Sequence, residues 1–142
     1  MSKMKVVLDT NIILSAIFPT SPYQPILRAI ANDVYDLHVT TAILLEYEEK
    51  ITSIFGANTS LPFLDFCKKT SNIKASEIYF TWQIIYADPD DDKFIDCAFA
   101  CNADYLVTND KHFNVLKNMI LPNLKVLKID EFMEILKDLT TF

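Results

Sequence analysis

Short apolar runs along this chain alternate with segments whose apolar residues recur every three or four positions. Lys5–Leu8 (KVVL) is a compact run without polar alternation, which predicts a strand buried on both faces. Asn11–Phe18 predicts a helix closed by Pro19, Pro25–Asn32 a second helix, and Tyr35–Val39 a second strand. Thr41 is the expected cap of a longer amphipathic helix that reaches about Phe55 and ends at Gly56. Pro62–Lys69 reads as helical, and a short strand is expected at Glu77–Phe80 or Gln83–Tyr86. Asp88 and Pro89 open the next helix, with Asp at the cap and Pro at the first helical position, and it runs to about Cys101. Tyr105–Val107 predicts a strand, Lys111–Lys117 a helix, Lys125–Ile129 a strand and Glu131–Leu139 a closing helix.

Strands that alternate with helices imply a mostly parallel sheet covered on both faces, so the expected class is α/β. The chain has 142 residues, no Ser/Gly-rich linker and no repeat, which fits a single domain over residues 1–142. Its longest apolar runs, Val6–Leu8 and Ile12–Phe18, are too short to span a bilayer. The strand pattern starts too early to leave room for a signal peptide, and the expected location is cytoplasmic.

Charge narrows the function classes. The net charge is −6 and the isoelectric point about 4.8, which argues against gripping nucleic acid through a large basic surface. A nuclease whose carboxylates are neutralised by divalent metal remains compatible. Cys67, Cys97 and Cys101 form no CxxC pair and no His/Cys cluster, so they read as reduced thiols packed as small hydrophobes. The chain has one glycine, Gly56, so backbone positions with positive φ must be filled by residues such as Asn.

In a parallel sheet the chemistry sits beyond the carboxyl ends of the strands, and that rule sorts the acids. Asp9 follows the first strand and Asp110 the strand at Tyr105–Val107. Glu46 falls about one turn into the helix entered from the second strand. Asp92 falls about one turn into the helix opened by Asp88, with Asp96 four residues on along the same face. Asp104 precedes its strand and belongs at the opposite edge. Converging carboxylates repel unless a cation holds them, and hard oxygen ligands favour Mg2+ or Mn2+ over zinc. Each acid also has a plainer role. Asp9 alone is as readily a helix cap, the run Asp88–Asp92 a first turn complementing the helix dipole, and Glu46 with Glu48 and Glu49 a solvated face. His38 is expected as a satisfied core or edge residue and His112 as a solvated helix-start residue.

The segments VVLDTNIILSAIF, TTAILLEYEEKI and DPDDDKFIDCAFACNADYLVTNDKHF resemble the PIN-domain family, most of all its bacterial and archaeal subgroup of toxin–antitoxin toxins. The resemblance runs from about Lys5 to His112. It implies a three-layer α/β/α sandwich around a parallel sheet of about five strands, and metal-dependent cleavage of RNA. Carried over residue by residue, Asp9, Glu46, Asp92 and Asp110 match the family's four acids, with Asp96 at a position often acidic in the subgroup. Thr10 and Asn11 match the polar residues that follow the first acid and orient it. Thr108 would do the same for Asp110 within Thr108–Asn109–Asp110. Asn102 and Asn109 stand where the family usually has glycine. Lys93, Lys111 and Lys117 are the cations nearest the acids and the candidates for contacting RNA.

The expectation is a Mg2+- or Mn2+-dependent ribonuclease. Asp9 and Asp92 would be the main metal ligands, with Glu46, Asp96 and Asp110 completing the set or holding a second ion. RNA is the substrate, and an antitoxin protein or a second copy of the chain the partner. A different reading is a catalytically weak PIN scaffold that binds protein or nucleic acid, its interface formed by apolar surface near Ile26–Ile30 and Phe63–Phe66. A phosphatase for small esters fits less well, because position 11 is Asn where the D-x-D element needs an acid.

Overall fold

The structure is a computed structural model that describes residues 3–76, 92–111, 113 and 124–140. Five strands and six helices are seen among these residues. In chain order they are β1 (Lys5–Leu8), α1 (Thr10–Ala16), α2 (Pro25–Ala31), β2 (Asp36–Val39), α3 (Thr41–Phe55) and α4 (Ala57–Lys69). Then come β3 (Ile73–Ala75), α5 (Asp92–Cys101), β4 (Tyr105–Val107), β5 (Lys125–Leu127) and α6 (Ile129–Thr140). All strand pairings are parallel, in the order β3-β2-β1-β4-β5.

β1 is the centre of this sheet. Val6, Val7 and Leu8 point alternately to opposite faces, yet all three are fully buried, so helices cover both faces and the layers are α/β/α. The core adds Ile12, Ile13 and Ala16 from α1, Ile43, Tyr47 and Ile51 from α3, and Phe94, Ile95, Cys97 and Ala98 from α5. α3 presents Ile43, Tyr47 and Ile51 at four-residue spacing, the stripe that docks a helix on a sheet. α6 does the same with Ile129, Phe132 and Leu136.

Several boundaries differ from expectation, each for a local reason. The cap of α3 is Thr40 and not Thr41, since the Thr40 hydroxyl accepts the Ile43 amide at 3.2 Å. α4 starts at Ala57, well before Pro62, because Gly56 at φ 86° turns the chain directly from one helix into the next. Pro62 therefore lies inside α4. Packing of Ser60, Phe63 and Cys67, and the 2.6 Å bond from Thr52 Oγ1 to Ser60 Oγ, hold the helix despite it. β5 ends at Leu127, two residues short of the expected strand, and α6 takes over from Ile129, where the Glu131 carboxylate accepts the Lys128 amide at 2.9 Å.

β3 has no counterpart in the sequence reading. Its residues IKA are short and mostly exposed, and it forms by lying in register with Leu37, His38 and Val39. The strand expected at Glu77–Phe80 or Gln83–Tyr86, the Asp88–Pro89 helix start, the helix after Lys111 and His112 lie outside the described residues.

Of the apolar interface expected near Ile26–Ile30 and Phe63–Phe66, Leu27, Leu64 and Phe66 are half-buried and neighbouring Leu61 is exposed, while the other apolar residues face the core. Ile26 and Ile30 are completely buried and Phe63 nearly so, because α2 and α4 turn these residues into the core. His38 is buried as expected, but neither ring nitrogen has a hydrogen-bond partner among the described residues. All three cysteines are free thiols. Asp104 does sit at the amino edge, where its carboxylate accepts the Lys5 amide at 2.8 Å and fixes the start of β1. Asn102 adopts φ 56°, the glycine-like conformation that asparagine tolerates best after Gly. No helix among the described residues is long and apolar enough to cross a membrane.

Candidate active site at the carboxyl edge of the sheet

From β1 the chain proceeds outward to β2 on one side, while β4 lies on the other, so the strand order reverses between β1 and β4. A crevice opens at such a switch point beyond the carboxyl ends of the strands. Asp9 follows β1, and Thr108, Asn109 and Asp110 follow β4. The Asp9 amide donates to the Val107 carbonyl at 3.0 Å, which locks these two strand ends together.

Asp9 occupies the cap position of α1, yet its side chain caps nothing. Its carboxylate accepts the Thr108 hydroxyl at 2.7 Å, across 99 residues of sequence, and is only 4% exposed. Burial lifts the Asp9 carboxyl above its ordinary pKa. Hydrogen bonds from the Thr108 hydroxyl and the Thr10 amide oppose the rise, and the charges of Glu46 and Asp110 reinforce it. A capping aspartate on a solvated surface has no such environment. The plain cap role fails for Asp9.

Thr108 serves two acids at once. Its hydroxyl donates to Asp9 and accepts the Asp110 amide at 3.0 Å. The expectation was that Thr108 would orient Asp110; it does so through the backbone while its proton goes to Asp9. Thr10 also differs from expectation. Its hydroxyl donates to Glu46 Oε2, leaving only its amide to Asp9. Glu46 Oε1 accepts Lys93 Nζ at 2.6 Å, with the two side chains 15% and 22% exposed. Glu46 therefore faces inward and is not part of a solvated stripe.

Asp96 is buried on α5. Asp92 opens that helix, and its side chain is outside the described residues. Asp110 is half-buried, whereas Asn11 and Lys111 are exposed at the same edge. Among the described residues no three His, Cys, Asp or Glu side chains close into a ready metal-ligand set. What the structure brings together is Asp9 with Glu46 and Asp110 as mutually repelling neighbours. Their donor atoms are all oxygen, and burial beside two acids disfavours the Asp9 anion. That chemistry suits a hard divalent ion.

Two contacts had no signal in the sequence. The Tyr47 hydroxyl donates to the Leu8 carbonyl at 2.5 Å and pins the last residue of β1 beneath Asp9. Asn109 Oδ1 accepts the Ile129 amide at 3.0 Å and ties the acidic loop to the start of α6. A polar residue on an apolar helix face, as Tyr47 is, was the available hint for the first.

A parallel sheet carrying a buried carboxylate at its switch point defines an α/β protein with a candidate site in that crevice. The profile of the PIN domain matches residues 5–112, and the chain belongs to the PIN domain family. Proteins of this family are generally nucleases and typically use divalent metals. Curated proteins include no match. Among solved structures the chain is similar to VapBC2 from Rickettsia felis bound to a DNA fragment from their promoter, at 21% identity and TM-score 0.56, covering 88% of this chain and 98% of that one. It is also similar to FitAcB from Neisseria gonorrhoeae, at 13% identity and TM-score 0.54, covering 87% and 97%.

Proposed function

We propose that this protein hydrolyses RNA phosphodiester bonds with Mg2+ or Mn2+ held at the carboxyl edge of β1 and β4. The observation that carries the reading is Asp9: a buried carboxylate, raised in pKa, between Glu46 and Asp110. Asp9, Glu46, Asp92, Asp96 and Asp110 would hold the metal, which supplies an activated water and offsets charge on the phosphoryl group. The remaining work belongs to the chain. Thr108 fixes the direction of the Asp9 carboxylate, and Thr10 that of Glu46. Lys111, exposed just beyond Asp110, is available to an RNA phosphate.

The sequence resembles the toxin subgroup of the family, and the fold superposes on VapBC2 and FitAcB. The same proposal therefore makes this chain the toxin of a toxin–antitoxin pair, with an antitoxin as its protein partner. The rival reading, a weakly active scaffold docking near Ile26–Ile30 and Phe63–Phe66, keeps less apolar surface than the sequence offered, because Ile26, Ile30 and Phe63 are core.

Incubating purified protein with single-stranded and hairpin oligoribonucleotides tests the proposal. Cleavage is expected with Mn2+, none with EDTA, and none for Asp9→Asn. Cleavage that persists in EDTA or in Asp9→Asn rejects the assignment.

A further inference from the structure

Both oxygens of the Glu46 carboxylate are already engaged by this chain, one by the Thr10 hydroxyl and the other by the Lys93 ammonium at 2.6 Å. The pair joins α3 to the first turn of α5, one residue past Asp92, and both side chains are largely removed from water. Lys93 also lies 6.0 Å from the Phe94 ring centroid, which gives its charge an apolar flank. A carboxylate oxygen can keep a hydroxyl donor on one lone pair while the other binds a metal. It cannot easily keep an ammonium, since a dication and Lys93 would then repel at close range.

We propose that Lys93 is the resident counter-cation of the site, competing with the divalent metal for Glu46, so that metal loading and release of Lys93 are one event. The proposal rests on the metal-centre reading above and adds its regulation. In the metal-free protein the ammonium relieves the crowding of Glu46 with Asp9. In the loaded protein it is set free at the mouth of the crevice, where a phosphate oxygen is its natural partner. Lys93 then contacts RNA only after metal has bound. A purely structural ion pair between α3 and α5 makes the opposite prediction: breaking it costs stability and does not tighten metal binding.

Calorimetric titration of the full chain with Mn2+ separates the two. Lys93→Met keeps the length of the stem and removes the charge; it is expected to bind Mn2+ at least about tenfold more tightly than wild type. Lys93→Arg keeps the charge and is expected to stay within about threefold. Equal or weaker binding by a cooperatively folded Lys93→Met overturns the proposal. A second measurement uses the wild-type protein alone. Acylation of Lys93 by a water-soluble amine reagent, read by peptide mass spectrometry against exposed Lys50 and Lys137, is expected to rise severalfold when Mg2+ is added. An unchanged or reduced rate contradicts release. If wild type and Lys93→Met both fail to bind Mn2+, the metal centre itself is lost. If both bind it equally and Asp9→Asn does not, the centre stands and only the competition falls.

Discussion

Thr108→Val removes one hydroxyl and, with it, the link between the two acids at the strand ends. Valine keeps the β-branch suited to this extended segment and nearly the same volume, so the loss is one of hydrogen bonding rather than packing. Thr108 is 3% exposed, and no bulk water stands ready to replace it. Its bond to the Asp9 carboxylate, at 2.7 Å, is charge-assisted and contributes about 1.5–3 kcal/mol; accepting the Asp110 amide adds up to about 1 kcal/mol. Together these give a loss of about 2–4 kcal/mol. At roughly 3 °C per kcal/mol for a chain of this size, the melting temperature falls by about 6–12 °C. The penalty belongs to the ionised form of Asp9. Losing a donor raises the Asp9 pKa further, so the deficit is largest near pH 8 and narrows as acid protonates the carboxyl. Urea denaturation of wild type, Thr108→Val and Thr108→Ser across this pH range measures it. Serine retains the hydroxyl and is expected to lose less than about 1 kcal/mol. A valine variant within about 0.5 kcal/mol of wild type, or a serine variant as unstable as valine, refutes the reasoning.

Asp9→Asn is expected to stabilise the metal-free protein at neutral pH. The Asp9 pKa is raised on folding, so the stability tied to its protonated form is present at low pH and lost as pH rises through the folded value. Thermal melts from pH 4 to 8 should show the advantage of Asn growing with pH; a pH-independent difference contradicts this. Tyr47→Phe deletes the buried 2.5 Å bond to the Leu8 carbonyl and is expected to cost about 1–2 kcal/mol in denaturant titrations, with an unchanged midpoint as the adverse result. Asn102→Gly, at φ 56°, should be neutral to stabilising by up to about 1 kcal/mol, because glycine suits that conformation; a clear loss of stability tells against the backbone argument.

The buried strands and the edge that carries the acids were legible because both follow from short-range pattern. β1 and β4 are compact apolar runs, β2 alternates Leu37 and Val39 with polar positions, and a residue just past a parallel strand has nowhere to go but the carboxyl edge. β3 was illegible because IKA carries no apolar run; pairing with β2 makes it a strand. Pro62 misled about α4 because its local penalty is offset by packing that only the folded chain contains. The donors around the acids were harder still. Thr10 reaches Glu46 rather than its neighbour Asp9, and Thr108 reaches Asp9 across 99 residues, choices set by how α1 and α3 cross the sheet. That Ile26, Ile30 and Phe63 are core was hidden for a related reason. Periodicity shows that a helix has an apolar face but not what that face meets.

A divalent ion bound where Asp9 and Asp110 flank the switch point is what the proposed function needs. Crystals soaked in Mn2+ and measured at an anomalous-scattering wavelength address it most directly. A peak is expected about 2.0–2.6 Å from an Asp9 carboxylate oxygen, and none in Asp9→Asn. Saturating Mn2+ with no peak at Asp9, or with peaks only on other surfaces, contradicts it.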